Sequence, residues 1–168
     1  MFSLLIRQVT PDDASGVAAI LNSIIAARVY SVLDSPVSVE EEREFIRRFP
    51  TRGVFHVAED TTAGRIVGFQ NAEPVAAYTH AFDHVASIGT YVSLDRRRQG
   101  IATRLFEATF TRAVEKGYQK LFTFVRADNQ VALATYLRQG FRIIGRAEKQ
   151  ARIDGRYIDE ILIEKWLT

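Results

Sequence analysis

The chain has 168 residues, 47% of them hydrophobic and 25% charged, with a net charge of +2. That suits one soluble domain of ordinary size, and no apolar run approaches the ~18 residues of a membrane span. The absence of cysteine excludes disulfides, thiolate metal sites and thiol nucleophiles, and fits a reducing, cytoplasmic setting.

The first segment, 2–10, alternates in part and reads as a strand. It is too short, and turns acidic too soon, to be a secretory leader. A helix is expected over 10–30, with Thr10 as N-cap, Pro11 at the first helical position, and Asp12 and Asp13 at the positive end of the dipole. Val17, Ile20, Leu21, Ile24 and Ile25 recur at helical spacing. A second helix over 37–49 takes Ser38 as cap, acidic early and basic late. Strands follow at 53–60 and 65–75, joined by the small polar turn Thr61–Gly64 as an antiparallel hairpin. A loop covers 76–84. The next strand, 85–94, contains Gly89, a place for a bulge or a close approach. An amphipathic helix covers 99–117, with Ile101, Leu105 and Ala113 on related faces and Gly117 just past its end. Then come a buried strand over 120–127 and a helix over 128–140, capped by Asp128 or Asn129 and stopped by Gly140. Two final strands, 141–153 and 156–167, flank the Asp154-Gly155 hairpin turn. The order β-α-α-β-β-β-α-β-α-β-β implies one α/β domain over 1–168 with a mixed sheet. There is no internal repeat.

The densest chemistry is at Arg96-Arg97-Arg98-Gln99-Gly100-Ile101-Ala102-Thr103. A strand leads into it and a helix leaves it. The first amides of a helix lack internal partners, and the dipole adds positive potential there. Phosphate docks readily at such a place. Gly100 and the small Ala102 let a phosphate approach the backbone, and the arginines can form charge-assisted bonds to its oxygens. The segment lacks the Gly-Lys-Thr ending of a P-loop and the three glycines of a dinucleotide fingerprint. A solvated basic turn capped by glycine would show the same residues.

Two patterns together carry a resemblance. Arg97, Gly100 and Ala102 match Gln/Arg-x-x-Gly-x-Gly/Ala. Asn129, Ala132, Tyr136, Gly140 and Phe141 match Asn-x-x-Ala-x-x-x-Tyr-x-x-x-Gly-Phe. The chain thus resembles the GNAT superfamily, the Gcn5-related N-acetyltransferases, and the tail 150–167 is similar to bacterial phosphinothricin and L-amino-acid N-acetyltransferase-like members. The resemblance implies a central, mixed, mostly antiparallel sheet flanked by helices, with splayed central strands. It implies acetyl-CoA as co-substrate and direct attack by a primary amine. It also implies roles for particular residues. Thr90, Tyr91 and Val92 would bind the acetyl-pantetheine arm through their backbone. The amides of Gln99, Gly100, Ile101, Ala102 and Thr103 would hold the pyrophosphate, with Arg97 and Arg98 beside it. Asn129 would face the arm, although helix capping alone also accounts for an asparagine here. Tyr136 would protonate the departing thiolate, a role open to a phenol that stays neutral near pH 7. The Val92 amide is the candidate oxyanion donor.

Many relatives carry a glutamate on the strand before the cradle, and this chain has none there. Glu73, on the preceding strand, becomes the first choice of base, with His80 and His84 on the loop as alternatives. Leu94 stands where relatives commonly have proline. The acceptor pocket is expected between the first two helices and the 76–84 loop. Arg28, Tyr30, His80 and Asp34 are candidates to contact the acceptor there, and Arg28 favours an amino-acid-like amine because arginine pairs bidentately with carboxylate. A non-catalytic acyl-CoA sensor and the acetylation of a peptide or protein N-terminus are the competing readings. The modest net charge and the absence of interleaved aromatics speak against a nucleic-acid partner. Nothing points to a metal or a membrane, and a homodimer is the assembly common among relatives.

Overall fold

A computed structural model describes residues 2–167. The strands are β1 (Leu4–Gln8), β2 (Val54–Asp60), β3 (Arg65–Pro74), β4 (Val85–Val92), β5 (Lys120–Arg126), β6 (Arg142–Ile153) and β7 (Arg156–Trp166). The helices are α1 (Ala14–Ala27), α2 (Val39–Arg47), α3 (Ile101–Glu115) and α4 (Gln130–Arg138). The element order is the one the sequence implies.

Local chemistry explains the boundaries. Asp13 accepts hydrogen bonds from the Thr10 amide and hydroxyl, which opens a short 3-10 turn ahead of α1. Ser38 and Glu41 close a reciprocal capping box on α2. The first helix ends at Ala27, short of the expected tyrosine, because Arg28 turns left-handed at φ 61°. Gly89 makes no bulge, and β3 and β4 stay in continuous register across it. What it permits is close approach, since a Cβ there would lie 3.1 Å from both Asn71 Oδ1 and the Tyr91 ring.

The sheet order is β1-β2-β3-β4-β5-β7-β6, with every neighbouring pair antiparallel except β4 and β5. That parallel pair is short. It joins Val85, Ala86 and Ser87 to Lys120, Leu121 and Phe122 and then stops. Beyond Ser87 the two strands splay, as expected. One face of β2, β3 and β4 packs on α1 and α2 through Val17, Ile20, Ile24, Ile46, Phe55 and Phe69. The opposite face carries α3 and α4 through Ile88, Phe106, Leu133, Tyr136 and Phe141. Burying each such side chain is worth about 1.5–3 kcal/mol. β5 is the buried strand expected at Leu121, Thr123, Val125 and Arg126, with Phe124 its exposed member. Leu121, Thr123 and Val125 pack inward, while Phe124 is exposed because neither α1 nor α2 reaches over it.

Gly68 sets the position of α3. A Cβ there would sit 2.9 Å from Ile101 Cγ2 and 3.2 Å from the Tyr91 carbonyl. The missing side chain lets the first turn of α3 lie directly on β3, beside the splay.

Candidate active site

A cavity of ≈ 900 Å³ opens where β4 and β5 part. Its walls come from β4, the turn into α3, α4, and Tyr30 of the α1–α2 loop. Of the expected coenzyme contacts, Thr90, Tyr91, Val92, Arg97, Arg98, Gly100, Ile101, Ala102, Thr103, Asn129 and Tyr136 all line it. Gln99 lies in the turn but not on the cavity wall. A smaller cavity, ≈ 640 Å³, lies by Arg7 and Asp13. Arg7 there is already paired with Asp13 and Glu59.

The cradle is built by two left-handed residues, Arg98 at φ 62° and Gly100 at φ 77°. Gly100 is the N-cap of α3, and no atom lies within 4 Å of where its Cβ would stand. The first intrahelical bond runs from the Arg104 amide to the Gly100 carbonyl. The amides of Ile101, Ala102 and Thr103 precede it and lack intrahelical acceptors. The three arginines differ. Arg96 lines the cavity too, but its guanidinium is bound to the buried Asp60 at 3.0 Å. Arg97 stacks on the Tyr30 ring at 3.9 Å. Arg98 is exposed, with no partner among the described residues.

The β4 edge facing the splay is open past Ser87. The Ser93 amide bonds the Val67 carbonyl on the β3 side. N–H groups alternate between the two edges of a strand, so the Val92 and Thr90 amides point into the splay.

Tyr136 stands at the inner end of the cavity. It is 7% exposed and packs edge-on against Phe106 and Phe141. Its hydroxyl donates to Thr90 Oγ1 at 2.9 Å. Burial pushes the phenol well above its usual value, opposed by the bonds from Thr90. It is therefore a neutral acid at any working pH. Thr90 is held in turn by Gln70 Nε2 at 2.8 Å, and Gln70 is fully buried. Sequence reasoning missed Gln70. Its signal was a polar residue on the face of β3 shared with Val67 toward α3.

Asn129 performs the capping role and more. Its Oδ1 accepts from the Ala132 amide at 3.2 Å, and its Nδ2 donates to the Tyr30 carbonyl at 3.3 Å. The cap is Asn129, while Asp128 pairs with the buried Arg126. Arg126 also donates to the carbonyls of Arg28 and Ser31. Arg126 and Asn129 thus tie the α1–α2 loop across the cavity wall. Arg138, on the last turn of α4, lines the same cavity and was not anticipated.

The expected acceptor residues are scattered. Tyr30 reaches the cavity, but beside Arg97. Arg28 does not line it. Its side chain bonds the Asp34 carbonyl at 2.6 Å and approaches Asp154 at 3.6 Å. His80 is fully exposed and pairs with Asp83 at 3.0 Å, and His84 is also off the cavity wall. Glu73 stands opposite Ser87 on the α1–α2 face of β3, outside the cavity wall.

The family model for the acetyltransferase (GNAT) family matches residues 18–141. A phosphinothricin acetyltransferase-like protein of Bacillus subtilis (strain 168) is 25% identical over 156 residues, which is 93% of this chain and 94% of the relative. The structure of a GNAT-family acetyltransferase from Streptococcus pneumoniae superposes at a TM-score of 0.85 with 26% identity, covering 98% of this chain and 99% of that one. A phosphinothricin acetyltransferase from Sinorhizobium meliloti, solved with acetyl-CoA, has the same fold. Its TM-score is 0.89 at 18% identity, over 97% of this chain and 88% of that one. The matched region contains both the cradle and the Asn129–Phe141 segment, and the chain belongs to the GNAT acetyltransferase family.

Proposed function

We propose that the protein is an acetyl-CoA-dependent N-acetyltransferase that acts on a primary amine of a small molecule, by direct attack in a ternary complex. The observation that carries this reading is the alignment, in one cavity, of the anion cradle, the open β4 edge and the neutral Tyr136 hydroxyl.

Acetyl-CoA supplies an activated acyl group. The residues present suit it: unpartnered amides at Ile101–Thr103 and the free Arg98 for pyrophosphate, and an unpaired strand edge for the extended arm. The Val92 amide is the donor aimed where negative charge would develop on the carbonyl oxygen. Tyr136 holds its proton in the splay, at the place where a thiolate would leave. The amine must shed a proton. Glu73, opposite Ser87 on the α1–α2 face of β3, is the proposed acceptor of that proton, directly or through water. Arg28 was the residue that favoured an amino-acid-like acceptor, and its side chain is engaged with Asp34 and Asp154, which leaves that preference resting on the likeness to the phosphinothricin acetyltransferase-like relative.

A thiol-release assay with acetyl-CoA tests this against amino acids, polyamines, amino sugars and short peptides. Release with a small amine supports the reading, and release with peptides alone moves it to N-terminal acetylation. Calorimetric binding of acetyl-CoA without release from any acceptor would replace it with a sensor. An absence of binding would end it.

A further inference from the structure

On the α1–α2 face of the sheet, Asn71, Glu73 and Tyr91 share one patch of β3 and β4, and Glu42 comes from the helix layer on that face. Gly89 leaves the floor bare. Above it, Asn71 Oδ1 and the Tyr91 hydroxyl lie 3.1 and 3.4 Å from the position a Cβ would take. Glu73 is two residues along β3 on the same face. Glu42 comes from α2, one turn before Ile46, whose side chain packs into the cluster around Phe69 and Tyr91. Among the described residues, Glu42, Asn71, Glu73 and the Tyr91 hydroxyl have no hydrogen-bond or ion-pair partner.

Glu42 is the telling member. It is only 6% exposed. Its side chain is largely shielded from water with no counter-charge, which is unfavourable, and burial holds its proton affinity above the ordinary value. Burial raises the Tyr91 phenol, and the charges of Glu42 and then Glu73 add to it, which places the three groups in one field. Tyr91 also lines the coenzyme cavity, so this cluster borders the splay across β4.

Among the described residues, the arginines of this face are already engaged. Arg43, Arg47 and Arg48 on α2 pair with Glu40 and Glu44, and Arg52 pairs with Asp83. Arg28 is engaged as described, and the loop 75–84 carries no lysine or arginine. A zwitterionic amino acid would bring its carboxylate into a field of two unpaired carboxylates. A compact polycation would supply the missing counter-charge.

We infer that this cluster is the acceptor subsite, and that Glu42 and Glu73 select a carboxylate-free amine carrying a second positive charge, such as a linear diamine. The inference rests on the acetyltransferase reading and narrows its acceptor.

The test uses 1,4-diaminobutane, a neutral-tailed monoamine of equal length and a zwitterionic α-amino acid. Thiol release is measured with each, and binding to the CoA-saturated protein is followed by calorimetry. The expected result is a kcat/KM for the diamine at least tenfold above that for the amino acid. Glu42→Gln should lower the diamine value at least tenfold, mainly through KM. Acetyl-CoA affinity should be unchanged and thermal stability equal or higher, since an unpartnered buried charge is removed. Glu42→Asp, which keeps the charge on a shorter arm, should fall between. Preference for the amino acid, or a Glu42→Gln enzyme within twofold of the parent, overturns the subsite while leaving the acetyltransferase intact. Diamine binding in calorimetry that Glu42→Gln abolishes supports it by a second readout. Failure of acetyl-CoA to bind, or of every amine to react, overturns both.

Discussion

Replacing Tyr136 by phenylalanine removes one oxygen from the centre of the splay. The ring should stay in place, because it is gripped edge-on by Phe106 and Phe141 at centroid distances of 5.3 and 5.0 Å. The folded state loses the 2.9 Å bond to Thr90 Oγ1, but Thr90 keeps Gln70. One such bond is worth about 1 kcal/mol net, so the variant should fold and melt only a few degrees lower. The rate should suffer more. A positioned general acid contributes about 10²–10⁴-fold. A thiolate is a fair leaving group, with an ordinary thiol pKa near 8.5, which places the loss near the low end. A hundredfold drop in kcat corresponds to about 2.7 kcal/mol of transition-state stabilisation. The assay is thiol release at saturating acetyl-CoA and acceptor, with acetyl-CoA affinity from calorimetry and folding from thermal circular dichroism. The expected outcome is a kcat about 10²-fold lower with affinity within threefold. A kcat within threefold of the parent would remove Tyr136 as the acid. A matching loss of affinity would make it a packing residue.

The arginines should separate cleanly. Arg98→Ala should weaken acetyl-CoA binding by about tenfold, the scale of one charge-assisted bond, with stability unchanged. Arg96→Ala should instead lower the melting temperature, because the buried Asp60 loses its counter-charge while keeping the Thr62 and Ala63 amides. Equal coenzyme affinity in Arg98→Ala refutes the assignment. Gly68→Ala should push the first turn of α3 off β3, since its Cβ meets Ile101 at 2.9 Å. Both stability, by about 1–3 kcal/mol, and coenzyme affinity should fall, and an affinity unchanged by this substitution would show that the cradle tolerates the shift. His56 should make the fold acid-sensitive near neutrality. Burial lowers its proton affinity, and the charges of Arg112 and Lys116 add to this, while its Nδ1 meets Thr109 Oγ1 at 3.0 Å. The unfolded state then binds more protons, so stability falls as pH drops from about 6.5 through the depressed folded value. Denaturant unfolding at pH 7.5 and 5.5 should show a smaller difference in His56→Gln than in the parent; an equal difference would assign the effect elsewhere.

The order and type of the seven strands and four α-helices among the described residues were legible because local signals mark them: the Thr10 and Ser38 caps, the 3.6-residue apolar spacing of α1 and α3, and the Asp154-Gly155 turn. The cradle was legible for the same reason. Gly100 must adopt positive φ, and the helix that follows must expose its first amides, whatever surrounds them. Three things waited for the tertiary structure. Which arginine is free depends on Asp60, 36 residues before Arg96. Where β4 and β5 part depends on a parallel pairing that leaves no mark in either strand. Glu42 read as one more charge in the acidic first turn of α2, whose exposed neighbours Glu40 and Glu41 look the same in sequence. Local patterns specify which backbone groups a segment exposes. Only packing decides which side chains lose water without gaining a partner, and here that distinction separates Glu42 from its neighbours.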